Sequence, residues 1–364
     1  MRTTTKWVVS LATAAVLAPL VAVPAQASPR LELPRPTGLS AVGRHTEQLV
    51  DRTRVDPWVP EVGPRRLMVT VFYPAVPGSG RPAAYLGRDE AAALTEYAEF
   101  GDQLPGPVLA STRVWSRENA VPAPGRHPLV LLSPGYTVHR HTMTGLAEDL
   151  ASHGYVVAAV DHAYEAVGVR FPAGVLPCAA CDLPGRVGPL PVAANRAVDL
   201  RFVLDHLRHL PWVDRTRVAA VGHSMGGLAT ATVMRLDPRV RAGVNLDGPL
   251  LPAEGVGDRP YLLLGTEDEH SPGSTQDPSW AAAWPALTGW KRWLTAAGAD
   301  HFSFTDLDLL VQQAGLFPDL PLSGARGLEL TRTYTRAFLD QHLRGRPQGL
   351  LTGPSPANPE ITFH

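Results

Sequence analysis

The sequence has few cysteines, few lysines and almost no net charge. Its 364 residues carry a formal net charge of −1 at pH 7, and only two of them are lysine. Because no basic stripe is interleaved with aromatic residues, the sequence does not indicate nucleic-acid binding. The two cysteines, Cys178 and Cys181, cannot supply the four ligands of a structural zinc site, and no neighbouring histidine cluster completes one. These absences disfavour a nucleic-acid partner and a structural metal.

Long hydrophobic runs are also absent after residue 27. Before that point, the basic Arg2 and Lys6 precede an apolar stretch at residues 7–23, which is followed by the small-residue sequence at 25–27. This order is typical of a secretory signal peptide, so we expect residues 1–27 to be removed and the protein to be extracellular. A membrane anchor is the alternative, but Pro19 interrupts the apolar stretch.

Apolar runs and amphipathic segments alternate over the rest of the chain. Seven runs predict strands, and most are continuous, as expected for parallel strands buried on both faces. They lie at residues 67–73, 129–133, 155–160, 217–221, 241–246, 261–265 and 290–295. Between two of them, Leu200, Val203, Leu204 and Leu207 form one apolar stripe at helical spacing. The alternation predicts a single α/β domain over residues 28–364, with a mostly parallel central sheet flanked by helices.

Three inserts interrupt this alternation. Residues 74–128 contain a helix predicted at 91–100, residues 163–191 are rich in Gly and Pro, and residues 271–288 carry Trp280 and Trp284. The last two inserts follow strands at the carboxyl edge of the sheet, so we predict that they border a substrate pocket, with His162 at its margin. The two tryptophans, four residues apart, would line that pocket or meet a lipid surface, with core packing as the alternative.

Both cysteines fall in the insert at 163–191. In an exported protein, two cysteines separated by only two residues are expected to form a local disulfide, Cys178–Cys181. The ring that it closes is small, so its contribution to global stability should be modest.

The strongest chemical signal is the sequence Gly222-His223-Ser224-Met225-Gly226. An apolar run precedes it and a small-residue helical stretch follows, so the serine stands at a tight turn from strand to helix. Glycines two residues on either side leave room for that turn, where a Cβ would collide with neighbouring backbone. This arrangement is typical of a nucleophile elbow, which exposes a serine hydroxyl to a histidine and to an ester.

A serine at such an elbow needs a base and an acid, which follow it in the chain. His301 is the candidate base, because it lies in a loop after the last predicted strand. Two carboxylates compete for the acid: Asp247 ends one strand in an apolar setting, whereas Asp268 follows the next strand among other acidic residues. A triad acid must be shielded from water to hold the imidazole tautomer. That requirement favours Asp247 and leaves Asp268 as the alternative.

Two backbone N–H groups are predicted to form an oxyanion hole. One belongs to Met225, directly after the serine, and the other to Tyr136, in the loop after the central strand. Pro134 in the same loop has no N–H to donate. An ordinary Pro-Gly turn is the alternative interpretation of this loop.

Together these residues resemble the plasma-type platelet-activating factor acetylhydrolases, a branch of the α/β-hydrolase superfamily. The similarity is carried by residues 67–74, 150–162, 221–227 and 245–248 and by His301. The resemblance implies the α/β-hydrolase fold and places the acid at Asp247. In contrast, the sequence at Pro134 and Met225 resembles that of bacterial cutinases and polyester hydrolases. In those enzymes the acid lies one strand later, near Asp268.

The sequence therefore predicts a secreted serine carboxylic-ester hydrolase that needs no metal or organic cofactor. The resemblance implies short acyl esters as substrates, including acetylated phospholipids of the platelet-activating-factor type, with contact to a lipid surface. A cutinase, polyester hydrolase or lipase of the same fold is the alternative enzyme. A non-catalytic binding module is the alternative from another class. Expected partners are small-molecule or lipid esters, without nucleic acid or a transmembrane span.

Overall fold

A large mixed sheet organises the chain, whose computed structural model describes residues 30–364. The predicted signal peptide, residues 1–27, lies outside the described residues. Within residues 30–364 the strands are β1 Ala41–Val55, β2 Pro64–Ala75, β3 Arg81–Pro82, β4 Arg117–Glu118, β5 His127–Ser133, β6 Val156–His162, β7 Val169–Phe171, β8 Gly174–Leu176, β9 Val213–His223, β10 Val240–Leu246, β11 Tyr261–Thr266, β12 Lys291–Ala296 and β13 Ile361–Phe363.

Eleven of these strands form the central sheet, in the order β13-β12-β11-β10-β9-β5-β6-β2-β1-β4-β3, and β7 and β8 form a separate hairpin. The six strands from β12 to β6 are parallel to their neighbours. Antiparallel β2 and β13 flank them on either side. The mostly parallel sheet confirms the predicted fold class. The long β1 and the edge strand β13 were not among the strands predicted from the sequence.

Helices cover both faces of this sheet. They are α1 Arg88–Tyr97, α2 Gly106–Ala110, α3 Thr144–Ser152, α4 Leu183–Val187, α5 Leu190–Leu207, α6 Met225–Leu236, α7 Glu267–His270, α8 Ser279–Ala283, α9 Leu307–Gln313 and α10 Gly324–Arg344. None of these helices combines the length and the apolarity that crossing a bilayer requires.

Alternate residues of the central strands face two separate cores. In β5, Leu129 and Leu131 pack on the side of α5 and α6, whereas Val130 and Leu132 pack on the side of α3 and α10. All four side chains are completely buried. Burial on both faces explains why β5 and its parallel neighbours are continuously apolar in the sequence.

Because the central strands are parallel, their carboxyl ends meet at one edge. There β5 ends at Ser133, β9 at His223 and β10 at Leu246. The residues that follow these strands therefore come together: the loop at Pro134, the nucleophile candidate Ser224 and the acid candidate Asp247. Such an edge is where open α/β sheets bind ligands.

Candidate active site

Ser224 lies at the turn between β9 and α6 in a strained backbone conformation. Its φ of 54° and ψ of −120° are rare for a residue with a side chain. A Cβ at Gly222 would overlap the carbonyl of Gly226, and a Cβ at Gly226 would overlap the carbonyl of Ser133. The turn therefore requires both glycines, and Ser224 itself remains only partly buried.

Asp247 and His301 are joined by a hydrogen bond of 2.7 Å from Nδ1 to Oδ2. The other carboxylate oxygen of the buried Asp247 accepts the Thr266 N–H at 2.6 Å. Burial raises the pKa of Asp247, but the hydrogen bond and charge of His301 outweigh it and leave that pKa below its usual range. For His301, burial opposes protonation, yet the Asp247 carboxylate raises its pKa. The pair thus stabilises a proton on the imidazole.

The loop that carries His301 holds it next to the elbow. The His301 carbonyl accepts the His223 Nε2–H at 2.7 Å, and the two rings lie 4.6 Å apart. Ser303 Oγ accepts the Asp300 N–H at 3.0 Å and donates to Asp308 at 2.8 Å. These bonds fix the loop on both sides of the imidazole. Ser224, Asp247 and His301 are therefore brought to one place, although they are far apart in the chain.

The alternative acid, Asp268, is placed differently. It is exposed in the short helix α7, where its carbonyl accepts the Ser274 hydroxyl at 2.9 Å. Glu269, which the sequence did not single out, comes closer to the base. One carboxylate oxygen each of Glu269 and Asp247 and one ring nitrogen of His301 lie within 4.8 Å of one another. Glu269 is therefore a second negative charge beside the imidazole, and it too raises the pKa of His301.

This second carboxylate leads to a prediction for the pH dependence of activity. A catalytic base must be neutral, so activity should fall as pH decreases through the pKa of His301, which lies above the ordinary imidazole value of about 6.5. Glu269→Gln removes a charge that favours the imidazolium and should move this acidic limb to lower pH. Profiles of kcat/KM against pH measure the shift. Glu267→Gln, an exposed change on the same helix, is the control, and an equal shift in both variants would contradict the assignment.

Trp280 does not line a pocket, which corrects the prediction made from the sequence. Its side chain is completely buried in the core, where it stacks on His270 at 3.9 Å and donates to the Gly248 carbonyl at 2.7 Å. Trp284 follows in a separate 3₁₀ turn and packs against Trp293. The indole of Trp280 thus packs in the core against the turn that follows Asp247, and its hydrogen bond to Gly248 stabilises that turn.

His162 is also buried rather than pocket-lining, with an exposed fraction of 2%. Both of its ring nitrogens are engaged, Nε2 with Ser133 Oγ at 3.0 Å and Nδ1 with Asp199 at 2.9 Å. The sequence placed it at the margin of a pocket because it ends β6 at the catalytic edge. Its side chain instead turns inward, beneath the loop that follows β5.

Tyr136 and Met225, whose N–H groups are the oxyanion-hole candidates, lie in one apolar cluster beside the elbow. The Tyr136 hydroxyl donates to the carbonyl of Ala180, between the two cysteines. Cys178 and Cys181 are joined in a disulfide. The insert at 163–191 therefore braces the loop after β5.

An apolar cavity of about 430 Å³ opens beside the His301 loop. Its walls come from α1, α2, α9 and the loop after β5, and they include Leu94, Phe100, Val138, Phe302 and Phe317. The sequence did not predict this cavity, because two of the helices that form it, α1 and α2, lie in the insert at 74–128, far from the motifs.

The elbow between a parallel strand and a helix, with its acid and histidine following in chain order, defines an α/β-hydrolase. The chain belongs to the platelet-activating factor acetylhydrolase family. The model of that family described as "Platelet-activating factor acetylhydrolase, isoform II" matches residues 27–169. A probable 1-alkyl-2-acetylglycerophosphocholine esterase of Arthroderma benhamiae is 30% identical, over 91% of this chain and 93% of its own length.

Two further similarities concern other ester hydrolases. Cutinase 1 of Thermobifida cellulosilytica is 28% identical over 48% of this chain and 60% of its own length. The solved structure of a ferulic acid esterase from Streptomyces cinnamoneus matches with a TM-score of 0.81 and 43% identity, covering 92% of this chain and 99% of that one. These findings confirm the predicted class of enzyme, a hydrolase of carboxylic esters with features of both acetylhydrolases and cutinases.

Proposed function

We propose that the protein is an exported serine esterase that uses Ser224, His301 and Asp247 as its catalytic triad. The observation that carries this proposal is the 2.7 Å bond between the buried Asp247 and His301, held against the strained elbow of Ser224. Export is supported by the signal-like residues 1–27 and by the disulfide Cys178–Cys181. Mass spectrometry of the secreted protein, with a mature terminus near residue 28, tests the export.

The reaction divides hydrolysis into two acyl transfers. Ser224 Oγ adds to the ester carbonyl as His301 takes its proton, and the N–H groups of Met225 and Tyr136 stabilise the oxyanion. The C–O bond to the alcohol then breaks, and the alcohol leaves with the proton from His301. Water attacks the acyl-enzyme in the same way, giving its proton to His301, and Ser224 regains a proton as the carboxylic acid leaves. Asp247 holds the imidazole throughout.

For the substrate, we favour esters with a short acyl group and a long apolar arm, such as acetylated ether phospholipids. The acetylhydrolase relatives support this class. The cavity beside His301 supports it as well, since 430 Å³ of apolar space suits an alkyl chain and lies in the range typical of ligand sites, about 300–1,000 Å³. A phenolic acyl ester is the second candidate, favoured by the ferulic acid esterase similarity and by Phe100, Phe302 and Phe317 in the cavity wall.

A cavity-filling variant tests which arm of the ester the cavity receives. Val311→Trp narrows it, so kcat/KM for an acetylated ether phospholipid should fall at least about tenfold, while p-nitrophenyl acetate hydrolysis stays unchanged. Val175→Trp, at an exposed position in the β7–β8 hairpin, is the matched control.

The two substrate classes separate on a panel of esters given to the unaltered enzyme. Acetyl, butyryl, octanoyl and palmitoyl esters should show falling kcat/KM with acyl length, with the ether phospholipid turned over well. Faster turnover of methyl ferulate than of the phospholipid would favour the phenolic class. Rapid erosion of an aromatic polyester film without lipid hydrolysis would instead indicate a cutinase.

A further inference from the structure

A second Ser–His–Asp chain lies beneath the catalytic edge. Ser133 Oγ is 3.0 Å from His162 Nε2, and His162 Nδ1 is 2.9 Å from Asp199. Burial, followed by the neighbouring positive charge of Arg196, lowers the pKa of His162 and thereby favours the neutral ring. The Asp199 carboxylate therefore receives the Nδ1–H, and the Ser133 hydroxyl donates to Nε2.

This chain cannot attack an ester, because its exposed fractions are 0% for Ser133, 2% for His162 and 0% for Asp199. Asp199 is moreover held by two arginines, accepting from Arg54 at 2.6 Å and from Arg65 at 2.7 Å. What the chain does touch is the end of β5, where the candidate oxyanion loop, Pro134 to Thr137, begins. Its place in the fold is therefore that of a support for this loop.

Arg196, from α5, connects this support to the loop itself. Its guanidinium is 1% exposed and donates to the Pro134 carbonyl at 2.6 Å, to the Gly135 carbonyl at 3.4 Å and to Ser133 Oγ at 3.4 Å. On its other side it donates to buried Glu165 at 2.7 Å. A planar guanidinium can span these acceptors in fixed directions, which an ammonium cannot.

Because the peptide bond is planar, the hydrogen bonds from Arg196 to these carbonyls also fix the direction of the N–H groups that follow them. In a trans peptide the C=O and the following N–H point opposite ways. Because the carbonyls of Pro134 and Gly135 face Arg196, the N–H groups of Gly135 and Tyr136 face away from it. The loop also packs against the elbow, because a Cβ at Gly135 would touch the ring of His223.

Two further observations indicate that the loop needs such an anchor. Thr137 has a φ of 67°, a left-handed conformation that is strained for a residue with a side chain. Between residues 30 and 364, no backbone carbonyl accepts a hydrogen bond from the N–H of Gly135 or Tyr136. The Thr137 N–H does bond, to the carbonyl of Glu165 at 3.0 Å, so Glu165 braces both Arg196 and the strained end of the loop.

We propose that Arg196, held by Glu165 and the Ser133–His162–Asp199 chain, is a positioning residue that aims the Tyr136 N–H at the developing oxyanion. This inference rests on the proposed serine-esterase function. Arg196 does not touch the substrate. It acts through the backbone that it holds, and its positive charge also polarises the peptide that donates. This role explains why the charged residues Arg196, Glu165 and Asp199 are buried behind the site, where the catalytic triad does not require them.

Arg196→Met tests the proposal, because methionine keeps an apolar stem and removes the guanidinium. We expect kcat for p-nitrophenyl acetate to fall about 10²-fold, as for loss of one oxyanion-hole donor, with KM nearly unchanged. Affinity for a trifluoromethyl ketone, which forms a tetrahedral adduct on the serine, should fall by a similar factor. Arg196→Lys restores the charge without the fork and should recover only part of the loss.

Arg332→Met is the matched control. Like Arg196, Arg332 is a buried arginine that donates to the carbonyls of a proline and of the next residue, here Pro34 and Arg35. It lies on α10, away from the loop after β5. Per folded molecule, as measured by circular dichroism and melting, this variant should keep its kcat. Equal losses in both variants, or a change in Arg196→Met confined to melting temperature or KM, would overturn the proposal. If Arg196→Met does not fold, unaltered kcat and ketone affinity in Arg196→Lys would overturn it equally. Activity surviving in Ser224→Ala would instead refute the esterase mechanism itself.

Discussion

Ser224→Ala should lower kcat for p-nitrophenyl acetate by about 10⁴-fold or more, the largest effect expected of any single substitution in the chain. In the proposed mechanism, Ser224 Oγ is the protein atom that forms a covalent bond to the acyl group. Alanine at this position keeps the Cβ and the backbone turn, whose φ of 54° is already adopted by serine. Melting temperature should therefore change little, and stopped assays on purified, folded protein measure the loss directly.

Labelling identifies the nucleophile independently of turnover. A fluorophosphonate probe should modify the peptide that contains Ser224 and leave Ser133 untouched, because the Ser133 hydroxyl has no access to solvent. Ser355→Ala, at a half-buried position in the segment before β13, is the control for a harmless serine change and should keep both activity and labelling. A probe that reacts equally well with Ser224→Ala would refute the assignment of the nucleophile.

The parts of the fold that the sequence predicted are those whose structure depends on a short local sequence pattern alone. Strands such as β5 and β11 are buried on both faces, so their apolar runs are continuous and easily recognised. The long β1 escaped prediction because buried and exposed positions are mixed along it, with polar residues such as His45 and Glu47 in its middle. At the elbow, steric exclusion around Gly222 and Gly226 leaves almost no other arrangement for the motif.

The misplaced residues are those whose direction depends on tertiary packing. His162 ends a strand at the catalytic edge and Trp280 lies in an insert that follows another, and the sequence gives no sign that both side chains turn into the core. For Trp280, the deciding contacts are the ring of His270 and the carbonyl of Gly248. For His162, they are two polar partners from other elements. Such contacts join segments far apart in the chain, so no local pattern encodes them.

Asp247→Asn should lower kcat by about 10⁴-fold, whereas Asp268→Asn should leave it nearly unchanged. The two substitutions are chemically identical, and they separate the acetylhydrolase arrangement from the cutinase one, which the sequence left open. Asp247 accepts the His301 Nδ1–H at 2.7 Å from a buried position, so an amide there can present its NH₂ to the ring and favour the wrong tautomer. Asp268 is exposed, and its hydrogen bond with Ser274 uses its backbone carbonyl and not its carboxylate.

The pH profile of each variant adds a readout that a purely structural effect does not move. In Asp247→Asn the charge that raises the pKa of His301 is lost, so the acidic limb of the residual activity should move to lower pH. In Asp268→Asn the limb should stay where it is. Because the Asp247 pKa lies below its usual range in the folded protein, its ionised form stabilises the fold above the acid range, and that contribution disappears as pH falls through this lowered pKa. A larger loss of kcat in Asp268→Asn than in Asp247→Asn would show instead that Asp268 is the acid, one strand later in the chain, as in the cutinases.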